Sequence, residues 1–130
     1  MTPIFHLSLS VSDLEASCAF YEEVLGARRG RTTPHWADLW LFGAQLTAYQ
    51  RPSAVTPSPY REAQHFGATL DWPEWVQRDA ALQADAPAAV VQRVLDAERG
   101  SAKLVLRDPD GYLIELKAYR DVATLQRPQP

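Results

Sequence analysis

A histidine that opens an alternating strand pattern at position 6 has a counterpart at position 65, and the segments beginning at the two histidines run in the same order. In residues 4–11, Phe5, Leu7, Leu9 and Val11 alternate with His6, Ser8 and Ser10; in residues 65–72, Phe66, Ala68, Leu70 and Trp72 alternate with His65, Gly67, Thr69 and Asp71. Period two marks a strand with one face in a core and the other in a wetter space. A helix start succeeds each strand. Ser12 and Glu15 have the spacing of a capping box, Leu14, Cys18, Tyr21, Val24 and Leu25 recur on one side, and Gly26 supplies a left-handed stop, so a helix is expected over 13–25. In the second half Asp71 takes the cap, Pro73 the first turn and Glu74 the box position, predicting a helix to about Ala84. Three strands then come in each half, over 27–32, 35–42 and 44–50, and over 88–95, 102–107 and 112–119, the last two joined by the tight-turn signal Asp108-Pro109-Asp110-Gly111. Pro52, Pro57 and Pro59 make 51–64 a connector through which no helix can run.

A repeat of strand, helix and three strands, with starts 59 residues apart, restricts the fold more than any other feature of the chain. One such unit leaves a sheet face bare, whereas two can bring their sheets together around a shared concave space. The fold class is therefore α+β, and the concavity is where a ligand would go. With 130 residues there is room for one domain, residues 1–121, with module one at about 3–50, a linker at 51–64, module two at about 65–120, and a frayed polar tail at 122–130.

Charge and hydropathy exclude several partners. Thirteen Lys and Arg stand against 16 Asp and Glu, without a basic run, so nucleic acid is not an expected partner. No apolar stretch approaches the roughly 18 residues that cross a bilayer, so no membrane is expected either. Residues 1–6 lack a basic and then apolar leader, and the expected localisation is cytoplasmic. The single cysteine, Cys18, falls among apolar helix positions and reads as buried packing.

Strand parity then selects three residues. His6 shares a face with Ser8 and Ser10, His65 with Gly67, Thr69 and Asp71, and Glu115 with Leu113, Lys117 and Tyr119, in each case opposite the apolar set. All three are expected to face the concavity. Two imidazoles and a carboxylate are the donor set of the facial arrangement that binds a divalent first-row metal and leaves positions open. His6, His65 and Glu115 are therefore the expected metal ligands. Lys117 is the one convincing cation on the inferred cavity face. Trp36, Trp40, Trp72 and Trp75 read chiefly as core or interface, with a substrate wall as the alternative.

The segments Phe5-His6-Leu7, Val11-Ser12-Asp13-Leu14-Glu15-Ala16, Phe20-Tyr21-Glu22-Glu23-Val24-Leu25-Gly26, His65-Phe66-Gly67 and Asp108-Pro109-Asp110-Gly111-Tyr112-Leu113-Ile114-Glu115 together resemble the vicinal oxygen chelate superfamily over residues 3–120. That group contains glyoxalase I, extradiol ring-cleaving dioxygenases, and fosfomycin- and bleomycin-resistance proteins. The resemblance implies two βαβββ modules forming an incomplete barrel around a metal-binding cavity, often in a homodimer. It also implies metal ligands on the first strand of each module and on the last strand, which here are His6, His65 and Glu115. Glyoxalase I-like members take a fourth ligand, a carboxylate, from the last strand of module one, where this chain has Gln45, Thr47 and Tyr49 on the matching face. A three-ligand site favours an extradiol dioxygenase acting on a small catechol-like substrate with Fe(II); Mn, Ni or Zn would accept the same donors. The resemblance to such enzymes also implies an acid–base histidine or tyrosine, for which Tyr49, Tyr119 and His35 are the candidates, with Lys117 a candidate for stabilising an oxyanion. The alternatives are a metal-dependent thiol transferase or lyase of the same fold, and a non-catalytic protein that binds a drug or metabolite.

Overall fold

The first half runs β1 (His6–Val11), α1 (Leu14–Leu25), β2 (Arg28–Thr32), β3 (Trp36–Leu41) and β4 (Ala44–Gln50) in a computed structural model that describes residues 1–126. These strands form one mixed sheet in the order β1-β4-β3-β2, with β1 parallel to β4 and the other pairs antiparallel. Leu14, Cys18, Tyr21 and Leu25 of α1 are buried, as are Leu39, Leu41, Leu46 and Ala48 of the sheet. Each fully buried leucine contributes about 2 kcal/mol.

The cap of α1 differs from expectation. Asp13, not Ser12, is the N-cap, and its carboxylate accepts from the Ala16 amide at 3.0 Å. The Ser12 amide instead donates to the carboxylate of Asp110, at 3.1 and 3.2 Å to its two oxygens. The Leu14 amide, another of the donors that a helix start leaves without partners, is taken by Gln50 Oε1 at 2.9 Å. At the other end Gly26 adopts φ 73°, and the amides of Gly26 and Ala27 close onto the carbonyls of Glu22 and Tyr21.

The connector 51–64 holds a three-residue 3-10 turn, Pro52–Ala54, and one short helix, α2 (Ser58–Arg61). Its prolines therefore limit helix length without abolishing helix, because Pro59 sits in the first turn, where its missing N–H costs nothing.

The second half runs β5 (Phe66–Leu70), α3 (Trp72–Asp85), β6 (Val90–Asp96), β7 (Ser101–Arg107) and β8 (Leu113–Tyr119), with sheet order β5-β8-β7-β6. Again the first strand lies parallel to the last. Asp71 occupies the N-cap of α3, but its side chain makes no capping bond, and Glu74 instead faces Arg78 one turn on. Trp75 is buried and donates from its indole to the Leu116 carbonyl at 3.0 Å, which ties the helix to the sheet. Val122–Gln126 forms a short 3-10 helix at the start of the expected tail, and residues 127–130 lie outside the described residues.

By contacts the chain divides into two units. Unit 1 is Met1–Gln64 with the segment Asp108–Tyr112, and unit 2 is His65–Arg107 with the chain from Leu113 on. Each is one βαβββ module with a four-stranded mixed sheet that does not close on itself. Among the described residues no helix is long and apolar enough to cross a membrane.

Candidate functional site

In unit 2 the parallel pairing of β5 with β8 sets Gly67 beside Glu115. The approach is so close that a Cβ added at Gly67 would stand 1.8 Å from the Glu115 carbonyl oxygen, so only glycine fits. His65, just ahead of β5, brings Nε2 to 3.0 Å from Glu115 Oε2. Glu115 is largely shielded while His65 remains open to solvent. Its second oxygen, Oε1, lies 3.7 Å from the ammonium of Lys103 on β7. A cavity of about 270 Å³ is lined by both residues of this pair together with Gly67, Thr69 and Lys117.

These donors suit a divalent metal. Imidazole nitrogen with carboxylate oxygen is a set that first-row ions accept. Two donors bound about 2.1 Å from one ion, at right angles, stand about 3 Å apart, which is the separation of His65 Nε2 and Glu115 Oε2. A cation there would also compensate the cost of keeping the shielded Glu115 ionised.

His6 lies in unit 1, where β1 pairs it with Gln45, and its Nδ1 is 3.2 Å from the Gln45 carbonyl oxygen. In the tautomer that donates this bond, Nε2 keeps its lone pair, which is how a ligating histidine is held by its other nitrogen. Among the described residues no three His, Cys, Asp or Glu side chains are gathered into a group that could hold a metal. The expected ligand set is thus divided, with His6 in unit 1 and the paired His65 and Glu115 in unit 2.

Unit 1 also contains a carboxylate that the strand pattern did not single out. Asp38 on β3 is buried, its Oδ1 accepting from Thr47 Oγ1 at 2.8 Å and its Oδ2 from Arg31 Nε at 2.7 Å. Burial raises its pKa, but hydrogen bonds from Thr47, Arg31 and Gln45 outweigh that and leave the carboxyl below the usual range. Thr47 pairs with Ser8, two residues past His6, just as Glu115 pairs with Gly67, two past His65. Module one therefore carries its shielded carboxylate one strand over from the position of Glu115, and neutralises it with Arg31. The available signal was the parity of Asp38 with Trp36 and Trp40, which needs the β3–β4 register to be useful.

Of the other candidates, Lys117 lines the cavity. Lys103, which the sequence reading did not single out, lies opposite it across β7 and β8. Tyr119 lies four residues beyond Glu115 on β8, about 13 Å along the strand. Tyr49 pairs with Ser10, at the other end of β4 from the position that meets His6; it packs on Trp36 with ring centroids 6.2 Å apart, and Arg51 lies over it. His35 is exposed, and its backbone carbonyl accepts from the Gln50 amide. Trp72 stacks on Trp75 under the guanidinium of Arg120, and Trp40 packs at Gly30.

Comparison with known proteins places this geometry in context. A structure of a glyoxalase/bleomycin resistance protein/dioxygenase from Alicyclobacillus acidocaldarius matches with TM-score 0.73 and 24% identity over 95% of this chain and 96% of that one. A fosfomycin resistance protein, FosX, from Listeria monocytogenes matches with TM-score 0.71 and 16% identity over 91% of this chain and 93% of the other. A variant of FosX complexed with Mn(II) and dihydroxypropylphosphonic acid matches with TM-score 0.73 and 16% identity over 98% of this chain and 99% of that one. At these identities the likeness is one of fold. The family model for the Glyoxalase/Bleomycin resistance protein/Dioxygenase superfamily matches residues 4–116. The chain therefore belongs to the glyoxalase/bleomycin resistance protein/dioxygenase superfamily.

Proposed function

We propose that the chain is a metal-dependent enzyme in which His6, His65 and Glu115 hold a divalent ion, and that it acts on a small substrate with two neighbouring oxygens. The observation that carries this reading is the His65–Glu115 pair, 3.0 Å apart at the wall of a cavity. FosX, a member of the same fold solved with Mn(II), supports a divalent ion as the cofactor. Bound there, the ion would supply Lewis-acid stabilisation of negative charge on substrate oxygens and a template for their orientation.

The residues of this chain have separate tasks. His65 and Glu115 supply neighbouring nitrogen and oxygen donors, and Lys103 holds the second oxygen of Glu115 in place. His6 is oriented by the Gln45 carbonyl. With Thr47 rather than a carboxylate at the matching position of module one, His6, His65 and Glu115 would be the whole protein donor set, which favours ring cleavage of a catechol, with Fe(II) as the ion. A second reading, opening of an epoxide by water or a thiol, is favoured by Lys117 at the cavity and by Lys103 opposite it on the next strand, which suit an anionic substrate. The reading further takes the protein to be cytoplasmic and a homodimer; the exposed Val91, Val94 and Leu95 of the edge strand β6 support the dimer.

Aerobic incubation of the iron-loaded protein with a panel of catechols tests the first reading. Coloured ring-opened products, lost in Glu115→Gln, are expected. Absence of turnover, with catechols bound unchanged, would instead indicate a binding protein.

A further inference from the structure

Strands β7 and β8 are the two inner strands of their sheet, and they set Lys103 directly opposite Lys117. Side chains so paired have Cβ atoms about 5 Å apart, and like charges in that position oppose each other. Lysines are often used to keep edge strands from pairing with other chains, but neither strand here is an edge, so that role does not account for them. Neither is their charge balanced. Glu115 is the carboxylate within reach of Lys103, at 3.7 Å, and it is already engaged by His65. Among the described residues Lys117 makes no ion pair. Lys117 lines the cavity, and so does Thr69, which pairs with it across β5 and β8 and offers a hydroxyl donor. A divalent ion on His65 and Glu115 would add two further positive charges beside a strand pair where two ammonium groups already outnumber one carboxylate.

We propose that Lys103, Lys117 and Thr69 form a subsite for a compact oxyanion group of the substrate, a carboxylate or a phosphoryl group, beside the His65–Glu115 pair. The substrate would then be an anion whose two neighbouring oxygens lie one short spacer away from its charged group. Lys117 stands two residues beyond Glu115 on the same face of β8, about 7 Å along the strand, and this sets the length of that spacer. The inference rests on the metal-binding reading for its account of the chelating end, while the oxyanion subsite itself stands on the lysine pair and the cavity.

The test compares catechol with protocatechuate, the same diol carrying a carboxylate, by calorimetric titration of the Mn(II)-loaded protein. Protocatechuate is expected to bind about tenfold more tightly than catechol, and Lys103→Gln with Lys117→Gln is expected to cut that preference to about twofold, both compounds being titrated at saturating Mn(II) because Lys103 also contacts Glu115. Equal binding of the two compounds by the wild-type protein, or a preference that survives in the double variant, overturns the proposal. If the wild-type protein binds no Mn(II), the metal reading fails separately and the metal-free protein decides. In that arm acetate and inorganic phosphate are titrated into isotope-labelled protein. Saturable shifts of the Thr69, Lys103 and Lys117 amides with either anion, absent in the double variant, support the subsite, and the tighter anion identifies its chemistry. No saturable shift with either anion overturns it.

Discussion

The hydroxyl of Tyr21 donates to Asp108 Oδ2 at 2.8 Å in the buried interior of unit 1, joining helix α1 to a turn 87 residues further along the chain. Asp108 organises that turn, its Oδ1 accepting from the amides of Asp110 at 2.9 Å and Tyr112 at 2.8 Å. Tyr112 in turn donates from its hydroxyl to the Ser10 carbonyl at 2.8 Å and accepts from the Thr56 amide at 3.0 Å. The tight-turn signal in the sequence is thus also an anchor.

Replacing Tyr21 with Phe removes one bond to a buried carboxylate, and a loss of about 1–2 kcal/mol is expected in urea denaturation. The same site has an unusual pH dependence. Burial raises the Asp108 pKa above 3.8, partly opposed by its hydrogen bond from Tyr21 and by the turn amides. The folded state therefore binds this proton more tightly than the unfolded chain, so the contribution of Asp108 to stability is fully present below 3.8 and declines as pH rises through its folded value. Wild type should gain on Asp108→Asn as pH is lowered from 7 toward 4. A difference between the two that is constant with pH would contradict this.

Asp79 of α3 behaves in the opposite sense. Arg93 on β6 holds it with Nη2 at 2.6 Å from Oδ2, Gln83 adds a bond at 2.9 Å, and these outweigh burial to keep the carboxyl below its usual value. Its contribution is present above 3.8 and is lost as pH falls through the lowered folded value. Asp79→Asn should cost about 1–2 kcal/mol at pH 7 and much less at pH 3, measured by urea denaturation. An equal cost at both values would show that the ion pair is not the cause.

Gly67→Ala should be among the most damaging single-methyl changes in the protein. Its Cβ would overlap the Glu115 carbonyl, and β5 could not keep its register on β8. A loss of about 3 kcal/mol or more is expected, above the usual range for overpacking because the obstacle is backbone rather than a yielding side chain. Thermal unfolding with a midpoint within a degree or two of wild type would contradict that geometry.

The order of the eight described strands and the two long helices was readable because each carries its own local pattern, whereas the short α2 in the proline-containing connector carries none. The pairing of His65 with Glu115 followed from parity and from the repeat, which place both on the wet face of unit 2. Features without a local signature depend on contacts distant in sequence. Ser12 and Asp13 are both competent caps, and the choice between them is settled by Asp110, which takes the Ser12 amide from 98 residues away. Tyr112, expected within the final strand, belongs to the turn because Asp108 holds its amide. Lys103 went unnoticed because its strand shows only which residues share a face, and the register that sets it against Lys117 and near Glu115 is not written in any one segment. Asp38 was missed for the same reason, since its partner Thr47 lies on another strand.

The central claim is that His65 and Glu115, with His6, hold a divalent metal, and a titration of the purified protein with Mn(II) followed by electron paramagnetic resonance tests it most directly. One saturable site per chain is expected, lost in His65→Ala and in Glu115→Gln, and weakened about 10- to 100-fold or more in His6→Ala. Absence of saturable binding in the wild-type protein, or unchanged binding in His65→Ala and Glu115→Gln, would contradict the account.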